Sequence, residues 1–244
     1  CLRGADGEQL SASMRYAGAI RLDHVLGLNR LYLVPVGMPA DEGTYVRMPL
    51  EALLATIAIE SNRNACVVIG EDLGTVPDGL RDTLAIWGIW SYRVMIFERG
   101  NDGAFLPPDR YPDNSLATFG THDLPTYRGW LVGHDLQIKQ TIGIDPGESN
   151  EARIFSHTSL ASALRFEGDA LPDVYSMLQF LAKTRSRLLV VSIEDLLSVV
   201  EQINVPGTTK QYPNWRRRLP FLLHEWSQAV HEEKLARVMI ERCV

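Results

Sequence analysis

Short apolar runs alternate along the chain with longer segments of helical period, the pattern of strands in a parallel sheet covered by helices. Residues 17–24, AGAIRLDH, read as a strand, and 49–61, PLEALLATIAIES, as a helix opened by proline. A second strand is expected at 66–69, a helix at 78–87 after Pro77, and a third strand at 91–98, SYRVMIFE. The Gly/Pro/Asp-rich stretch 99–114 reads as a long loop, and 115–119 as a short run entering GTHD. Residues 128–172 read as an irregular helical insertion. A helix over 173–183, a buried strand over 187–193 and an amphipathic C-terminal helix over 220–241 complete the pattern. The expected class is α/β with parallel strands.

The apolar runs share one feature at their ends. AIRLDH, VVIGED, FGTHD and VVSIED each finish in acid. In a parallel sheet those ends share a rim, and in a barrel they ring the mouth where active sites form. An acid after a strand also serves as a helix cap or first-turn residue. That reading is preferred for Glu194–Asp195, and a capping or supporting role for Asp72. Asp23, Glu71 and Asp123 are harder to explain structurally: Asp23 ends a strand beside Arg21 and His24, Glu71 follows Gly70, and Asp123 follows Gly-Thr-His. Two carboxylates flanking a glycosidic bond are one chemistry for such a set. Metal ligation with His24 and His122 is a second, although the spacings of familiar metal motifs are missing. A non-catalytic domain is the third.

Composition narrows this further. The chain has 244 residues, a net charge of -6 and its densest basic cluster at Arg216-Arg217-Arg218, which argues against nucleic acid or an anionic membrane as partner. No apolar run reaches the roughly 18 residues of a membrane span. Three widely separated cysteines, Cys1, Cys66 and Cys243, suggest neither a disulfide framework nor a metal knuckle, and point to a cytoplasmic location.

Five segments together resemble the 4-alpha-glucanotransferases, or amylomaltases, of glycoside hydrolase family 77. IRLDHVLGLNRLYLVPVG is similar to the family's nucleophile segment, GTYVRMP to the segment after it, and VIGEDLGTVP to its acid/base segment. THDLPTYRGW resembles the stabiliser segment and NVPGTTKQYPNWRRRLP the segment near the C-terminus. The order is the family's, and successive acids lie about 50 residues apart, room for one or two strand–helix units each.

The resemblance implies Asp23 as nucleophile, Glu71 as general acid/base and Asp123 as the acid that stabilises the distorted sugar. Arg21 would hold the nucleophile, His122 the sugar hydroxyls, and Tyr45 and Asn204 would touch glucan. Trp130 and Trp215 are stacking candidates, but packing is the commoner fate of tryptophan. Many relatives have two polar residues where this chain has Leu124-Pro125, a departure expected to change local shape rather than abolish activity, and one that puts in doubt any subsite built from those groups. The implied substrates are maltooligosaccharides and α-1,4-glucans, with no metal or organic cofactor. Because the nucleophile strand is the fourth of the family's (β/α)8 barrel, the chain is expected to be the C-terminal part of such a barrel. Exposed barrel edges would then favour self-association. Hydrolysis of the same glucans, or glucan binding without turnover, are the alternatives for this chain by itself.

Overall fold

A computed structural model of the chain describes residues 2–166 and 171–242, so Cys1, Cys243 and part of the expected 128–172 insertion lie outside the described residues. Two compact units result, one of Cys1–Tyr92 with Asn114–Leu116, the other of Arg93–Asp113 with Ala117–Val244. In the first, α1 (Leu2–Met14) leads into β1 (Ala19–Leu22), and β2 (Arg30–Leu33) pairs antiparallel with β3 (Thr44–Arg47). Then come α2 (Leu50–Asn64), β4 (Val67–Gly70), α3 (Leu80–Ile86) and β5 (Trp90–Val94). The β2–β3 hairpin escaped the sequence reading because most of its residues are exposed, so burial imposes no alternation on them.

Leu54, Ile57 and Glu60 bury one face of α2 at helical spacing, and Ala65, left-handed at φ 48, lets the Cys66 N–H reach back to the Ser61 carbonyl at 3.0 Å. That turn launches β4, whose Val68 enters a core with Val25, Leu54, Leu80 and Ile89 and whose Ile69 is also buried. Gly70 ends the strand in a close-packed spot: a Cβ there would lie 3.0 Å from Ile89 and 3.1 Å from Val25. Cys66 is buried and carries a free thiol.

The second unit holds α4 (Tyr127–Leu131), α5 (His134–Thr141), α6 (Asn150–Leu164), α7 (Val174–Ala182), β7 (Leu188–Leu189), α8 (Ile193–Leu196), α9 (Trp226–Ala229) and α10 (Glu232–Arg242). Before them, β5 and β6 (Ser115–Thr118) each contribute residues to both units. Phe119, Tyr127, Trp130, Leu160, Met177 and Phe180 are central to its core. The Asp173 side chain caps α7 by accepting the Ser176 N–H at 2.8 Å.

The larger sheet runs β1-β4-β5-β6-β7, with β1–β4 and β4–β5 parallel. The fold class is therefore α/β with parallel strands, and its repeating strand–helix order is that of part of a (β/α)8 barrel. Three expected elements differ in extent. The strand over 91–98 stops at Val94, where Met95–Phe97 form a 3-10 turn. The buried strand over 187–193 is only two half-buried residues, because the Ser192 side chain accepts the Asp195 N–H and starts a helix at Ile193. The single C-terminal helix is broken: a 3-10 turn at Leu223–Glu225 precedes α9, and the extended, buried Val230 separates α9 from α10. Among the described residues no helix is long and apolar enough to cross a membrane.

Candidate active site

The pairing of β1 with β4 sets the first cluster. Leu22 is opposite Gly70 in the parallel register, so Asp23 and Glu71 each follow a paired residue on adjacent strands. The ladder continues past them, the Glu71 N–H donating to the Leu22 carbonyl at 2.9 Å and the Val25 N–H to the Glu71 carbonyl at 3.1 Å. Two backbone donors fix the Glu71 carboxylate: the His24 N–H reaches Oε2 at 2.9 Å and the Leu73 N–H reaches Oε1 at 3.0 Å. His24 makes its contact from a left-handed backbone, φ 46, a conformation that costs a non-glycine residue about 1–3 kcal/mol and is held by its surroundings.

Asp23 is the more open acid, its side chain 75% exposed, and Arg21 grips it at 2.7 Å. The Arg21 guanidinium in turn lies 5.2 Å from the centre of the Tyr92 ring. Burial pushes the Tyr92 hydroxyl pKa up, with the charge of Arg21 opposing that shift. Asp72, beside Glu71 but buried, turns the other way: it accepts from Arg81 Nε at 2.8 Å, the Ser91 hydroxyl at 2.7 Å and the Tyr92 N–H at 3.1 Å. Asp72 thus ties the end of β4 to β5 and α3, the supporting role expected of it.

The second cluster surrounds Asp123. Asn204 Nδ2 donates to Asp123 Oδ1 at 2.6 Å, and His122 Nε2 lies 3.4 Å from Oδ2. Gln202, buried, donates through Nε2 to the backbone carbonyls of both Asp123 (2.9 Å) and Asn204 (2.6 Å), while its own carbonyl accepts from the Tyr212 hydroxyl at 2.6 Å. Trp215 stands beside His122, ring centres 5.3 Å apart and planes tilted 44°. Its backbone is left-handed, φ 59, and its N–H donates to the Ile203 carbonyl at 3.1 Å.

Behind Asp123, Leu124 and Pro125 are half-buried and lead to Thr126, whose hydroxyl caps α4 by accepting the Gly129 N–H and donates to the Val199 carbonyl at 2.6 Å. Gly129 is required there, since a Cβ would sit 2.3 Å from the Val200 carbonyl oxygen. The Tyr127 N–H is held at 2.6 Å by Asp195 Oδ1. Asp195 is buried, and burial pushes its pKa up to about 7, the Tyr127 N–H working against that and the charge of Glu194 adding to it. Glu194 and Asp195 occupy the first turn of α8, as the capping alternative holds.

The sequence candidates thus fall into separate groups. Asp23, Glu71 and Arg21 gather in the first cluster, and Asp123, His122 and Asn204 in the second. Tyr45 is on the hairpin, exposed, edge-on to Tyr32 at 5.1 Å and under Arg30 at 4.3 Å. Trp130 is packed in the core, whereas Trp215 is 63% exposed. No group of three or more His, Cys, Asp or Glu residues able to hold a metal ion is found among the described residues. The sequence reading missed Tyr92 and Gln202, whose partners are distant in sequence. For Tyr92 a signal existed in the polar Ser91-Tyr92-Arg93 start of a strand.

Parallel strands ending in carboxylates are the framework on which barrel enzymes of sugar chemistry are built. Residues 7–224 match the profile of glycoside hydrolase family 77, described as 4-alpha-glucanotransferase, and the chain belongs to that family. It is 40% identical over 230 residues to the 4-alpha-glucanotransferase of Haemophilus influenzae, covering 87% of this chain and 33% of that protein. The 4-alpha-glucanotransferase of Mycobacterium bovis is 37% identical over 222 residues, covering 85% of this chain and 31% of its own length. The chain therefore spans about a third of the curated relatives it matches. Among solved structures, the amylomaltase of Corynebacterium glutamicum superposes with a TM-score of 0.82 at 30% identity, over 96% of this chain and 37% of that one. The amylomaltase of Streptococcus agalactiae in complex with acarbose, 20% identical with a TM-score of 0.74 over 98% of this chain and 43% of that one, shares the fold.

Proposed function

We propose that the protein carrying this chain transfers segments of α-1,4-glucan to the 4-hydroxyl of an acceptor glucose or glucan, by a retaining double displacement. Asp23 attacks the anomeric carbon as its bond to the leaving oxygen breaks, and Glu71 gives that oxygen its proton. A glycosyl ester on Asp23 and a Glu71 carboxylate result. The acceptor 4-hydroxyl then yields its proton to Glu71 while its oxygen bonds the anomeric carbon and releases Asp23. Asp123 stabilises the distorted sugar and its developing positive charge. Arg21 orients Asp23, His122 hydrogen-bonds sugar hydroxyls, Asn204 contacts glucan beside the Asp123 carboxylate, and Tyr45 contacts it from the hairpin. These steps need no metal, and the free Cys66 thiol fits a cytoplasmic setting.

The observation that carries this reading is the placement of Asp23 and Glu71 directly after the paired Leu22 and Gly70, in a chain of this family. The test is incubation with maltotriose, using the 244-residue chain and the longest natural translation product containing it. Glucose together with a ladder of longer maltooligosaccharides is expected, and Glu71→Gln should abolish both. Products confined to glucose and maltose would make the enzyme a hydrolase. Binding of maltooligosaccharide without turnover in either form would reduce the protein to a glucan-binding one.

A further inference from the structure

We infer that Trp215 is a sugar-binding platform, its indole face taking the C–H face of one glucose ring of the glucan; this rests on the glucanotransferase reading above. Large aromatic side chains are commonly drawn into cores, and Trp130 in the same unit is. Trp215 instead leaves 63% of its surface open. A left-handed backbone at φ 59 and the hydrogen bond from its N–H to the Ile203 carbonyl hold the main chain from which the indole projects, and the indole lies beside the His122 ring. Backbone held in a sparsely populated conformation concentrates where a side chain must be aimed.

The surroundings define the ligand chemistry. His122, Asp123 and Asn204 supply donors and acceptors, linked to one another by contacts of 3.4 Å and 2.6 Å, and the indole adds an apolar face next to them. A pyranose ring has the complementary form, hydroxyls around its rim and C–H bonds on its face. An aliphatic ligand would leave the polar groups unmatched, and a fully ionic one would gain little from the indole. Trp215 therefore acts on affinity and on the seating of the glucan, while bond breaking stays with the carboxylates.

The experiment is calorimetric titration of maltoheptaose into the 244-residue chain, its Trp215→Ala and Trp215→Phe variants and the Glu71→Gln variant, with thermal melts to establish that each is folded. Trp215→Ala is expected to weaken binding by about tenfold, the scale of one aromatic contact. Trp215→Phe should recover most of the loss, which a merely structural role of the indole would not produce. Equal affinity of wild type and a folded Trp215→Ala variant overturns the platform while leaving the glucan reading intact. No binding by wild type and Glu71→Gln alike overturns both.

Discussion

Glu71 and Asp72 are adjacent carboxylates with opposite surroundings. Asp72 is buried, its carboxylate shared by a guanidinium, a hydroxyl and a backbone N–H, while the half-buried Glu71 carboxylate accepts from the backbone N–H groups of His24 and Leu73. Glu71, like Asp23 and Asp123, was legible in the sequence because each acid follows an apolar run. Gln202 was not legible, because its partner carbonyl lies 79 residues away in the chain. At this scale Gln202→Glu is the informative change. A carboxylate cannot donate to the Asp123 and Asn204 carbonyls, so a loss of about 1–3 kcal/mol in urea-unfolding stability is expected, the cost of buried acceptors left unpaired. Maltotriose turnover should fall as well, by more than in Arg185→Ala, which removes only an exposed ion pair with Asp113.

At the scale of elements, α4 depends on a titrating group. Asp195 holds its first N–H, and Arg128, Asp173, His231 and Lys234 line the same cavity of about 430 Å³, with Glu194 beside it. The folded pKa of Asp195, about 7, lies above its ordinary value of 3.8, so the folded state takes up the proton more readily than the unfolded chain. Its favourable contribution is complete below pH 3.8, falls as pH rises toward 7 and is gone above that. Asp195→Asn keeps an acceptor for Tyr127 without a charge. It should melt higher than wild type at pH 8, with the difference shrinking as pH is lowered toward 5; no difference at pH 8 would remove Asp195 as the cause. The helices expected over 49–61, opened by proline, and over 173–183 formed as α2 and α7, the latter capped by Asp173. Over 187–193 a run of strand-forming residues was overruled by the Ser192 cap.

For the whole molecule, the outer edge of the larger sheet matters most. β1 is the end strand, Ala19 and Arg21 are exposed, and a groove of about 1040 Å³ beside it is lined by Leu10, Ile20, Leu28 and Leu53. An unpaired strand edge beside an apolar groove is a pairing site. The 244-residue chain is therefore expected to self-associate with rising concentration in sedimentation velocity, and Ala19→Lys, which sets a charge on that edge, should suppress it. A single monomer peak at all concentrations would show the edge to be inert.

By itself the sequence determined the α/β class, the family and the acids at the strand ends, because strand periodicity, capping and motif order are properties of neighbouring residues. Only the tertiary structure decided which strands pair, which partners hold Asp72 and Glu71, that Trp130 is core and Trp215 is open, and that Gln202 joins two distant segments. Those outcomes depend on burial and on hydrogen bonds between residues tens of positions apart, and such contacts exist only once the chain has folded.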